Sequence, residues 1–144
     1  MAIRVGKYAG FCFGVRNAVD AAFAAVAKGG DCYALGPLIH NQQVLDRLQQ
    51  AGIRTVDSLD QVTHGTVVIR SHGVGPKVLA ECAARGLSVV DATCPFVQRV
   101  HTLVEAYSRM GDSVIVAGQA DHPEVQGTAG WCAGSVYVVE NAEQ

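Results

Sequence analysis

The stretch "TVVIRSHGVGPKVLAECAARGLSVVDATCP", residues 66–95, holds a complete strand, helix and strand. "TVVIRS" is a β-branched run short enough to be a buried strand, and "LSVVDA" is a second. Between them "PKVLAECAARG" reads as a helix, opened by Pro76, whose missing N–H costs nothing at a first turn, and closed by Gly86. A strand, a helix of about a dozen residues and another strand form a βαβ unit, which implies parallel pairing.

The alternation continues outward in both directions. Upstream, "CYALG" and "IRTVD" read as strands around the helix "NQQVLDRLQQAG", with Asn41 as its N-cap and Gly52 as its stop. Before them, Val15, Val19, Ala22, Phe23 and Val26 share one face of a helix that ends at Gly29 and Gly30, preceded by the apolar run "IRVGKY". Downstream, "PFVQRVHTLVEAYSRMG" is the longest helix, followed by the strand "SVIVAG", a short helical or looped stretch and the strand "VYVVE". The expected fold is α/β, built of repeated small domains with mostly parallel sheets and flanking helices. A weak internal repeat supports this: Gly36 to His40 in "YALGPLIHNQQV" matches Gly118 to His122 in "VIVAGQADHPEV", about 80 residues later. The second copy is unfinished at Gln144, so a truncated chain is expected, with a first domain over 1–95 and part of a second over 96–144.

Composition narrows the function. With 144 residues, 49% of them hydrophobic and 17% charged, the chain is an ordinary globular protein. A formal net charge of -2 gives no basic field for nucleic acid, so an anionic ligand must be held by a few local groups. No apolar run is long enough for a membrane span or a signal peptide, and the expected location is cytoplasmic. Five cysteines without a secretion signal read as reduced thiols or metal ligands.

Chemistry-bearing residues gather where strands end: Cys12 after "KYAGF", His40 after "LGPLI", His72 after "VIRS", Cys94 after "VVDAT" and His122 after "AGQAD", with Glu124 two residues on. Ligands of open parallel sheets bind beyond the carboxyl ends of the strands, so these six residues are candidates to face one cavity. Cys12 and Cys94 each precede a helix, whose positive end favours a metal-binding thiolate. The histidines can turn positive charge toward an anion or bind metal. Cys82 reads as a core residue and Cys32 and Cys132 as structural. His64 reads as a loop residue and His101 as a surface or packing histidine. A zinc ribbon is excluded by the lack of any CxxC pair, and "HGVGP" lacks the Lys and Ser/Thr of a phosphate loop.

Taken in order, "AGFCFGV", "GPLIHN", "SHGVGP", "DATCP" and "DHPEVQGT" resemble the 4-hydroxy-3-methylbut-2-enyl diphosphate reductase (LytB/IspH) family across essentially the whole chain, which would be its N-terminal half. The resemblance implies three similar α/β domains, pseudo-threefold in the full-length family, around a 4Fe-4S cluster held by three cysteines. It implies an oxidoreductase that converts 4-hydroxy-3-methylbut-2-enyl diphosphate to isopentenyl and dimethylallyl diphosphate, the last step of the non-mevalonate isoprenoid pathway. Electrons would come from a donor such as ferredoxin or flavodoxin. Cys12 and Cys94 would be cluster ligands, His40, His72 and His122 would hold the diphosphate, and Glu124 would lie on the proton path. The third cysteine and later diphosphate-binding residues would lie beyond Gln144, so this portion is expected to be inactive alone. Asp121 and Gln126 depart from the family's frequent "GHPEVEG". Two other readings stand beside this one: a non-catalytic α/β module that binds an anion through the histidines, and a thiol or zinc protein using Cys12 and Cys94 with a histidine.

Overall fold

The computed structural model describes residues 2–143. The elements are α1 (Phe13–Ala27), β1 (Cys32–Leu35), α2 (Gln42–Gln50), β2 (Ile53–Val56), β3 (Thr66–Ile69), α3 (Pro76–Ala84), β4 (Ser88–Asp91), α4 (Pro95–Arg109), β5 (Val114–Ala117), α5 (Pro123–Gly130) and β6 (Val136–Val139), with a 3-10 turn at Leu59–Gln61. The first four strands form a wholly parallel sheet in the order β2-β1-β3-β4. β5 and β6 pair in a separate parallel sheet.

Alternation along the central strands divides the core into two layers. Cys32, Ala34 and Val68 turn to the side covered by α1 and α2, where they meet Ala18, Ala22, Val44 and Leu48. Tyr33, Val67 and Ile69 turn to the other side, against Leu59, Val62 and Cys82 of α3. Cys82 is fully buried, as the sequence pattern required, and burial raises its thiol pKa above the ordinary value, with the Glu81 charge adding to the effect.

Local signals explain most boundaries. Asn41 caps α2 by accepting from the Val44 N–H at 3.1 Å, while Pro76 and Pro95 stand in the first turns of α3 and α4. The 3-10 turn closes on a reciprocal cap between Ser58 and Gln61, a detail absent from the sequence expectations. One expectation fails: among the described residues no strand precedes Cys12. Ile3, Val5 and Tyr8 are 82%, 83% and 90% exposed, and β1 to β4 pair only with one another, so this segment has no sheet neighbour to complete a ladder.

α5 packs on α4 and on both strands of the second sheet. The outer side of this unit is apolar and open: Phe96, Val100, Leu103, Tyr107 and Met110 recur at helical spacing along α4, and Ile115 and Tyr137 stand exposed on β5 and β6. No helix among the described residues is long and apolar enough to cross a membrane.

Ile69 tests the two-layer core, since it is fully buried on the central strand β3. Ile69→Val is expected to cost about 0.5–1.5 kcal/mol and Ile69→Ala about 2–5 kcal/mol in urea unfolding. A cost below about 0.5 kcal/mol for the alanine variant contradicts this packing.

Candidate functional site

The strand order places the chain's switch between β1 and β3. From β1 the chain runs to β2 on one flank, then crosses to β3 on the other, so the connections after these adjacent strands leave in opposite directions. A crevice opens there, beyond Leu35 and Ile69. His40 emerges on one lip and His72 on the other, and their ring centroids lie 5.1 Å apart. His122, arriving from the second sheet as the N-cap of α5, completes the group at 5.6 Å from His72. One ring nitrogen from each of the three histidines falls within 4.8 Å of the others.

Each histidine is held differently. His40 is exposed and directly precedes the Asn41 cap, which fixes the start of α2 behind it. His72 is half-buried, and its Nδ1 is buried without a partner among the described residues. Burial, then the neighbouring His40, Arg70 and His122 charges, depress its pKa to about 4, so the ring is neutral near pH 7. His122 accepts the Glu124 backbone N–H on Nδ1 at 3.2 Å. A neutral ring that accepts through Nδ1 carries its proton on Nε2, which makes the remaining nitrogen a donor. That state suits an anion better than a metal ion, which requires a lone pair. Glu124 stands in the same first turn of α5, half-buried.

The two cysteines stand at helix N-termini. Cys12 caps α1 and Cys94 caps α4, neither through a side-chain hydrogen bond, and both are free thiols. The Cys94 N–H donates to Ser71 O at 2.9 Å, which ties it to the residue before His72. α1 comes so close that a Cβ on Gly14 would lie 2.6 Å from Cys94 Sγ, and only a glycine leaves room for the sulfur there. A cavity of about 230 Å³ is lined by Phe11 and Val15 on one wall and by His40 and His72 on the other. Two unpaired thiols at helix N-termini, one seated in a cradle that a side chain would fill, fit two positions of a thiolate-held cluster.

Of the six residues selected from the sequence, His40, His72 and His122 come together, Glu124 follows His122 in the first turn of α5, Cys94 lies against Gly14 of α1, and Cys12 directly precedes that helix. Cys32 and Cys82 are buried in the core, Cys132 is half-buried, and His64 is a loop residue that pairs with Asp31 at 2.7 Å. His101 proves to be a packing histidine, 5% exposed. Sequence reasoning passed over Arg70, which is half-buried beside His72 with its Nε buried and unpartnered. The available signal was a charge standing directly after the apolar run "TVVI".

Comparison with known proteins identifies the family and the fold. The family model described as "LytB protein" matches residues 3–144. Among curated relatives, the 4-hydroxy-3-methylbut-2-enyl diphosphate reductases of Geotalea uraniireducens and Clostridioides difficile are 45% and 43% identical over the whole chain, which covers 51% and 52% of their lengths. Of the solved structures, the E-1-hydroxy-2-methyl-but-2-enyl-4-diphosphate reductase from Plasmodium falciparum superposes with a TM-score of 0.90 at 27% identity, over 95% of this chain and 44% of that one. A second, an (E)-4-hydroxy-3-methyl-but-2-enyl diphosphate reductase, gives 0.85 at 41% identity, over 98% and 52%. The chain spans about half the length of the curated relatives it matches, and it belongs to the LytB protein family.

Proposed function

We propose that this chain supplies the diphosphate-binding histidines, the proton-handling carboxylate and two cluster-holding cysteines of a reductase acting on 4-hydroxy-3-methylbut-2-enyl diphosphate. The observation that carries the reading is the histidine trio, in which the Glu124 N–H occupies His122 Nδ1 and leaves Nε2 to donate. A neutral His72 near the permanent charge of Arg70, with His122 Nε2 left free to donate, suits a diphosphate, whose charge is spread over many oxygens. A metal ion held by the 4.8 Å histidine grouping itself would require His122 to give up its bond to the backbone to offer Nε2 as a ligand. A division at 1–95 and 96–144 fits the two separate sheets, with His40 and His72 from the first and His122 and Glu124 from the second.

Reductive dehydroxylation of the substrate consumes two electrons and two protons, releases the hydroxyl as water and yields isopentenyl or dimethylallyl diphosphate. A 4Fe-4S cluster held by Cys12, Cys94 and a third thiolate, fed by ferredoxin or flavodoxin in the cytoplasm, would supply the electrons and a Lewis-acidic iron. The chain's own groups do the rest. The histidines fix the diphosphate, the wall of Phe11 and Val15 shields the allylic carbons from water, and Glu124 holds a proton at its carboxyl oxygen beside His122.

In a protein of the relatives' full length, Glu124→Gln keeps the shape but removes the acid, so turnover should fall by about a hundredfold or more with substrate affinity unchanged. Lost affinity with the rate retained would make Glu124 a binding group instead. In the same protein, Cys12→Ser or Cys94→Ser should abolish iron content, whereas Cys82→Ser, inside the core, should retain it. Full iron in either of the first two variants sinks the ligand assignment.

His72 offers a test that needs neither cluster nor turnover. Its folded pKa of about 4 lies below the ordinary 6.5, so between these values the unfolded chain binds more protons. The His72 contribution is complete above 6.5 and is lost as pH falls toward 4. Proton NMR should show its ring titrating near pH 4 in the free chain and moving upward when pyrophosphate binds. An unchanged titration in saturating pyrophosphate would remove His72 from the anion site.

A further inference from the structure

The loop that carries His72 is clamped from three directions. Gly73, at φ +72, has no room for a side chain: a Cβ there would lie 2.6 Å from His101 Cε1 and 2.9 Å from Thr93 Cγ2. From the second sheet, α5 approaches backbone to backbone. A Cβ on Gly127 would stand 3.4 Å from Gly73 O, and one on Gly130 would stand 3.1 Å from Gly75 Cα. Trp131, the C-cap of α5, then donates its indole N–H to Val74 O at 2.9 Å and stacks on His101, centroids 5.5 Å apart and planes 22° from parallel.

His101 therefore stands between the two halves of the histidine trio. It belongs to α4, touches the residue after His72 on one side, and bears on the residue that ends the His122 helix on the other. Its ring is 95% buried, given the 5% exposure, and its Nε2 has no partner among the described residues. Burial holds the imidazole below its ordinary basicity against the opposing pull of Asp91 and Glu124, so an uncharged ring fills the gap. A cavity of about 280 Å³ lies beside it, lined in part by Asp91, Thr93, Gln98 and Thr102. A flat ring wedged between a glycine and an indole fixes a separation more sharply than a flexible aliphatic side chain, because its thickness is constant and few rotamers are open to it.

We infer that His101 is a positioning residue: its ring, gripped between Gly73 and Trp131, sets the distance at which α5 carries His122 and Glu124 past His72. The geometric part of this inference stands on the packing alone, while its consequence for ligand affinity rests on the diphosphate reading given above. A shift of about 1 Å in the spacing of binding or reacting groups is enough to cost one to two orders of magnitude in function.

The experiment compares His101→Ala, which removes the wedge, with His101→Phe, which restores a ring of similar thickness. In folded His101→Ala, the ring-proton NOE between His72 and His122 should vanish, amide exchange of residues 73–75 should quicken by about tenfold or more, and pyrophosphate affinity should fall by about tenfold. His101→Phe should recover the NOE and bring affinity to within about twofold of the parent. Cooperative melting of each variant establishes that it is folded. Should His101→Ala not fold, Trp131→Leu, which removes the opposing face of the stack, carries the same expectations. Retention of the NOE and the slow exchange in a folded His101→Ala or Trp131→Leu chain overturns the inference, as does a folded His101→Phe chain that behaves like the alanine variant. Failure of the parent chain to bind pyrophosphate strikes the diphosphate reading instead, and the NOE and exchange then decide the role of His101 by themselves.

Discussion

The parallel pairing of β1 with β3 is the constraint on which the site depends. Parallel neighbours cannot be joined by a tight turn, so the chain must leave each strand's carboxyl end and travel around the sheet. Because β2 lies on one flank of β1 and β3 on the other, the two exits diverge and leave a crevice that no backbone fills. His40 and His72 stand on its two sides because each follows one of these strands by only a few residues. The same strands hold the two core layers together through alternate residues, so the stability of the sheet and the position of the histidines share one ladder of hydrogen bonds.

Charge in this crevice is arranged against the trend of the whole molecule. A chain with a net charge of -2 attracts no anion at long range, yet three imidazoles and the first turn of α5 come together, and the Arg70 charge is felt at His72. Burial and the neighbouring charges make the charged form of His72 costly. A neutral His72 avoids that cost in the free protein. It also leaves proton uptake available to a ligand that brings its own negative charge.

Much of this was legible in local sequence. Asn41, Pro76 and Pro95 announce helix starts through their own chemistry, and β-branched runs announce strands, so the positions of His40, His72, Cys94 and His122 beyond strand ends could be read directly. What could not be read was set by tertiary approach. The failure of "IRVGKY" to form a strand reflects the lack of a neighbour, which no propensity encodes. The seat of Cys94 against Gly14 joins residues far apart in the chain. Arg70 was passed over, and His101 was read only as a surface or packing histidine, for the same reason. A cation after a strand and a histidine in a helix are commonplace in sequence, and only the neighbours packed around them distinguish them.

The apolar stripe along α4 has a colloidal consequence. Phe96, Val100, Leu103, Tyr107 and Met110 form a strip that a small, nearly neutral chain cannot screen by electrostatic repulsion. Attraction between such strips strengthens in sulfate or phosphate, which are excluded from protein surfaces, and weakens in mild urea. This helix face therefore makes the chain's self-association sensitive to the choice of salt.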